Sequence, residues 1–167
     1  VEDKRYHSGS APPTAGHGLV FTCTGLARGE LWAVRPGKGV LSDANVVWKV
    51  SRNVPTQPSP LLLDDLLFMV DDGGIASCLE AATGREVWRE RVGGNYSASP
   101  ICADGRLYFF SREGRGVVVE AARRFKVLGE SQLEDGFMAT PAIAGRALYA
   151  RGKTSLYRLE EPATAAK

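Results

Sequence analysis

Three observations in this 167-residue chain predict an all-β fold of four-stranded antiparallel blades, the β-propeller arrangement. Matching residues recur about every 40 positions. Each copy but the last holds four short apolar segments, the length of strands rather than helices. Glycines and Asp-Gly pairs interrupt the chain every 8 to 12 residues, too often for a helical repeat of similar length.

The proline that opens each copy sets the alignment. Pro60, Pro100 and Pro141 are spaced by 40 and 41 residues. The ends of the third segments, Leu79, Val119 and Leu159, are spaced by 40 and 40. Leu67-Phe68, Leu107-Tyr108 and Leu148-Tyr149 match in the second segments, and Val87-Trp88 matches Val127-Leu128 in the fourth. A fainter first copy has Val47-Trp48 40 residues before Val87-Trp88, but Pro13 to Pro60 is 47. The extra residues are expected between Arg35 and Ala44, between its third and fourth strands.

Taken in order, residues 1–10 read as a leader or linker, and 161–167 as a tail. The repeats fill 11–160, with blades at about 11–50, 58–92, 97–133 and 137–160. In the first blade the strands are expected at 13–16, 19–22, 30–34 and 45–50. Pro55 and Pro58 stiffen the crossing to the second, because proline cannot donate to a sheet ladder. The second blade runs through 60–63, 66–70, 75–79 and 86–91, with turns at Asp71-Asp72-Gly73-Gly74 and Ala81-Ala82-Thr83-Gly84. The third is the clearest, with Asp104-Gly105 as a tight hairpin turn. The fourth offers strands at 142–144, 147–151 and 155–159 and no evident fourth strand. A ring of four complete blades therefore falls short. The chain is expected to belong to, or assemble into, a propeller of about seven or eight blades. A second copy in a homodimer completing the propeller would bury both open ends.

Composition excludes several classes. A formal charge of +2 with mixed acids and bases gives no continuous basic stripe, so no nucleic-acid partner is expected. Only Arg123-Arg124-Phe125-Lys126 is locally basic, and it reads as a solvated turn. No apolar run approaches a membrane span. Cys23, Cys78 and Cys102 show no metal-binding spacing and read as small buried thiols. Cys78 and Cys102 could face each other across adjacent blades, which would leave one cysteine unpaired.

Two half-motifs recur at fixed spacing: Ser99-Pro100-x-x-x-Asp104-Gly105-x-Leu107-Tyr108 and Leu79-Glu80-Ala81-Ala82-Thr83-Gly84-x-x-Val87-Trp88. They resemble the pyrroloquinoline-quinone-like (PQQ-like) propeller repeat family over about Pro12 to Glu160. The resemblance implies that Trp48 and Trp88 are blade-docking tryptophans. Leu128 departs from that pattern and is expected to weaken docking of the third blade. The family's enzymes are quinone-dependent alcohol dehydrogenases that hold the cofactor with calcium, a catalytic aspartate and a disulfide between neighbouring cysteines. Its non-enzymatic members include a periplasmic scaffold lipoprotein of outer-membrane barrel assembly. This chain has no Cys-Cys pair, and it resembles the second group more. The resemblance implies a non-catalytic scaffold or protein-binding domain in the periplasm or cell envelope, with a protein or peptide partner and no cofactor. The alternative is a fragment of a PQQ-dependent alcohol dehydrogenase-like oxidoreductase. A sugar-handling propeller would want exposed tryptophans, whereas Trp32, Trp48 and Trp88 all fall at positions expected to pack.

No catalytic, cofactor-binding or metal-ligating residue is assigned. His7 and His17 are the only histidines, and His17 reads as a turn residue. The Asp71-Asp72 turn lacks the alternating ligands of a helix-loop-helix calcium loop. Arg112, Arg115, Arg146 and Arg151 fall at turns or strand ends, where propeller residues line a face or the central opening. They form the candidate polar binding face.

Overall fold

The computed structural model describes residues 11–24 and 29–160. The leader expected over 1–10, His7 and the tail over 161–167 lie outside them. The described residues form four antiparallel sheets, each ordered as in the chain. The first holds β1 (Thr14–Gly16), β2 (Leu19–Thr24), β3 (Glu30–Val34) and β4 (Val46–Val50). The second holds β5 (Leu61–Leu63), β6 (Leu66–Val70), β7 (Ile75–Glu80) and β8 (Glu86–Arg91). The third holds β9 (Ile101–Ala103), β10 (Arg106–Phe110), β11 (Arg115–Glu120) and β12 (Val127–Gln132). The fourth has three strands, β13 (Ala142–Ala144), β14 (Ala147–Arg151) and β15 (Leu156–Glu160).

The turns follow from residues that tolerate positive φ. Asp104 and Gly105 take φ of 48° and 68°, and His17 and Gly18 take 54° and 71°. Both pairs suit the tight turn that matches strand twist. The extra residues of the first blade lie between β3 and β4, where a 3-10 turn at Asp43–Asn45 closes the excursion. Arg35 N–H donates to Asn45 O at 2.8 Å at its base.

Side chains alternate across each strand, so every blade has two faces. In the second blade both are buried. Leu66, Phe68, Val70, Ala76, Cys78 and Trp88 face the third blade and join Leu107, Phe109, Val117 and Val119. Leu67, Met69 and Leu79 turn the other way and join Leu19, Phe21, Leu31 and Ala33 of the first. This double burial explains why β6 is apolar throughout (Leu-Leu-Phe-Met-Val) instead of alternating. The contact between the third and fourth blades is smaller, with Phe110, Phe137 and Ala150 at its centre.

Polar groups pin each crossing to the second turn of the blade it leads from or to. Asn53 donates to Asp71 at 2.7 Å, and Asn95 donates to Glu113 at 2.7 Å. At the third such joint the polarity is reversed. Asp135 accepts from the backbone N–H groups of Lys153, Thr154 and Ser155. Next to the opening prolines runs a clasp from blade to blade. Ser59 N–H donates to Ser99 Oγ at 2.9 Å, and Ser99 N–H to Thr140 Oγ1 at 3.1 Å.

Three expectations are corrected. The three thiols are free, so Cys78 and Cys102 do not pair although both border the same core. Burial pushes the Cys23 and Cys78 thiols up to about 12, which keeps them inert. Trp32 is not packed between blades. It stands half-buried on the outer face of the first blade, with Lys49 Nζ 4.0 Å above its ring. The third correction concerns register. Trp48 pairs with Ala33, and Trp88 with Cys78. The equivalent residue of the third blade, Val118, pairs with Gly129 and not with Leu128. The cause is one additional residue in the turn after β11. Val119 pairs with Val127, eight positions on, whereas Leu79 pairs with Glu86, seven on.

Candidate binding cleft between the third and fourth blades

Two interfaces in this molecule are closed by an indole. Trp48 donates its Nε1–H to Ala81 O of the second blade at 2.9 Å, and its ring lies over Gly84. A Cβ at Gly84 would sit 2.7 Å from that ring, so the glycine in Thr83-Gly84 makes room for it. Trp88 donates to Ala122 O of the third blade at 2.9 Å and packs against Phe68 and Phe125. Each indole thus reaches from the last strand of one blade to a backbone carbonyl of the next.

The third interface has no such plug. The face that the third blade turns toward the fourth can be compared position by position with that of the second. Leu66 becomes Arg106, Phe68 becomes Tyr108, Ala76 becomes Gly116 and Trp88 becomes Gly129. Every one of those second-blade side chains is buried, whereas Arg106 is exposed and Tyr108 is half-exposed. A Cβ built on Gly129 meets nothing within 4 Å. The result is a cleft of about 730 Å³. Tyr108, Phe110 and Val118 form one wall, and Leu148 and Leu159 the other. Asp104, Arg106 and Arg146 supply its charged groups, while Glu160 at its border pairs with Arg158 on the opposite face of the fourth blade. Exposed apolar side chains concentrate here: Ile143 and Leu159 line the cleft, and Val127 and Leu128 lie on the adjoining strand.

The four arginines proposed as one binding face are divided by the topology. Arg146 follows the turn between β13 and β14 and lines the cleft. Arg112, Arg115 and Arg151 lie at the other end of their sheets, by the turns between second and third strands. Arg112 is drawn inward, donating to Ser97 Oγ at 2.6 Å and to Gln57 Oε1 at 3.0 Å. It ties the second blade's opening segment to the third. Arg115 pairs with Glu130 at 2.8 Å on its own sheet. Arg151 borders a smaller hollow of about 250 Å³ with Lys153 and Met138.

The other polar features are structural. His17 Nε2 lies 2.6 Å from Asp64 O, joining the first turns of two neighbouring blades. Asp71 caps its own turn by accepting from Gly73 and Ile75 N–H, and Asp72 accepts from Thr56 and Gln57. Arg123 of the basic run bridges Asp65 and Glu80 of the second blade. Arg85 and Arg123 beside Glu80 hold its carboxyl down at about 2. Among the described residues no three His, Cys, Asp or Glu side chains come together as metal ligands. The cleft escaped the sequence reading although a signal was present. Arg106 stands at the repeat position of Leu66, and a charged residue there is incompatible with a closed blade contact.

Comparison with solved structures shows the same architecture. BamB from Moraxella catarrhalis superposes with a TM-score of 0.71 at 17% identity, covering 90% of this chain and 46% of that one. The computationally designed Ika8 protein gives 0.69 at 11% identity over 91% and 45%. A europium-containing methanol dehydrogenase gives 0.59 at 11% identity over 76% and 26%. The chain therefore spans less than half the length of each. No curated protein matches it in sequence. The family described as outer membrane protein assembly factor BamB matches residues 27–127, more than half of the chain, and the chain belongs to that family of PQQ-type propeller repeats.

Proposed function

We propose that the chain is a non-catalytic propeller scaffold, a protein-binding part of a bacterial protein of the periplasm or cell envelope. The observation that carries this reading is the pair of uncovered end faces. On the fourth blade, Tyr149, Arg151, Leu156 and Arg158 occupy the face that the second blade buries, and Leu156 is 70% exposed. On the first blade, Val20, Trp32 and Val34 stay half-exposed on the opposite face. Blade stacking is a nearest-neighbour arrangement in which an uncovered face seeks a partner. Photo-crosslinking in envelope extract tests the reading. A crosslinker at Leu156 or Trp32 yields protein adducts, and one at Val40, on the exposed excursion of the first blade, does not. Adducts at neither end face would overturn it.

The finer proposal is that a second copy of this chain covers both ends about a common axis. Light scattering on a sizing column then reads about twice 18.0 kDa. A monomer at high concentration would sink the dimer and leave the scaffold reading to the crosslinks. A PQQ-dependent oxidoreductase fragment is favoured only by the fold shared with the methanol dehydrogenase. The residues present do not fit that site. They supply no adjacent cysteine pair and, among the described residues, no cluster of ligating carboxylates.

A further inference from the structure

From the cleft between the third and fourth blades, we infer that it receives a tryptophan side chain supplied by a partner protein, in the place where the third blade lacks its own docking indole. The molecule itself shows what fills such a wedge. At two of three blade contacts it is an indole packed on the aromatic residue of the second strand, Phe21 under Trp48 at 5.8 Å and Phe68 under Trp88 at 6.0 Å. The third contact keeps the aromatic platform, as Tyr108, and loses the indole, as Gly129. The space is open at Gly129, and the cleft beside it has the apolar walls that an aromatic anchor needs. Its charged groups suit this guest over a purely aliphatic one. Asp104 offers a carboxylate acceptor for an indole N–H, and the guanidinium group of Arg146 favours an aromatic face.

This inference deepens the protein-binding reading and rests on it for the source of the indole, but its test does not. N-acetyl-L-tryptophanamide is titrated into the 15N-labelled chain and followed by amide chemical shifts. The expected result is saturable shifts confined to residues 104–118, 129–131 and 143–148, with at least fivefold weaker binding of N-acetyl-L-leucinamide. The second arm uses Gly129→Trp, which supplies the indole from within. It removes the shifts and raises Tm. Absent or scattered shifts in the wild-type chain, or equal binding of the leucine analogue, would overturn the inference. So would a folded Gly129→Trp that binds the probe as before. If that variant does not fold, the wild-type comparison of the two amides decides alone. Crosslinks at the end faces with no probe binding would leave the scaffold reading standing and remove only this one.

Discussion

At the scale of single residues, Trp88 carries more of the structure than its partner in the first blade. It is 8% exposed and touches aromatic rings of its own blade and the next, whereas Trp48 is only half-buried. Trp88→Ala is expected to cost about 3–5 kcal/mol in urea unfolding, as for a large core truncation that leaves a cavity. Trp48→Ala should cost less, and Leu128→Ala, at a side chain 43% exposed, under about 1 kcal/mol. Equal losses at Trp88 and Leu128 would refute the register drawn here. Asp135 makes a second prediction. Burial pushes its carboxyl up, but the N–H groups of Thr154, Gly136 and Lys153 more than offset this and hold it at about 2. The unfolded chain has the ordinary value near 3.8. Asp135 therefore binds protons more readily when unfolded, and its stabilisation is complete above about pH 4 and fades toward pH 2. Asp135→Asn should lower the urea midpoint at pH 7 and reduce its fall between pH 4 and pH 2. An unchanged acid slope would show that these hydrogen bonds do not favour the ionised form.

At the scale of elements, the turns decide which glycines matter. Gly114 has φ of 86°, and an added Cβ would overlap the carbonyl oxygens of Leu133 and Asp135 in the crossing behind it. Gly105 has φ of 68° with nothing near. Gly114→Ala should therefore lose several times more stability than Gly105→Ala, which pays about 1 kcal/mol for its backbone alone. Comparable losses would mean that the crossing yields freely. The same turns explain what was legible in sequence. Strand positions followed from anchors such as Pro60, Pro100 and Pro141, because each marks where an inner strand begins. The docking glycine was hidden by two single-residue changes that cancel. The turn after β11 is one residue longer, and that after β14 one shorter, since Phe110 pairs with Gly116 but Arg151 with Leu156. The third-strand ends thus keep a spacing of 40, and the trace left was the 41 between Pro100 and Pro141, repeated between Leu107 and Leu148. Of the cleft only Arg106, at the repeat position of Leu66, was visible in sequence, because a cavity is a property of two facing surfaces. The scattering of the four arginines over two ends of the sheets likewise depends on strand direction, which the sequence signals only through turn order.

At the scale of the whole molecule, unequal blade contacts imply unequal local stability. In a stack of repeats, each unit holds through its own sheet and its neighbours. The second blade is buried on both faces, with Leu67, Phe68, Met69 and Val70 wholly removed from solvent. Among the described residues the fourth has three strands, one small contact, and an open cleft along the rest of that contact. Local opening follows buried apolar area, so amides of β14 and β15 should exchange first and those of β6, β7 and β10 last. Filling the cleft from within links this to the missing indole. Gly129→Trp should slow exchange in β14 while leaving β2 and β3 unchanged, because nearest-neighbour coupling does not reach across two blades. Protection rising uniformly through the chain would instead mean that the four blades open as one cooperative unit, and the cleft would then be a defect of packing without a separate energy of its own.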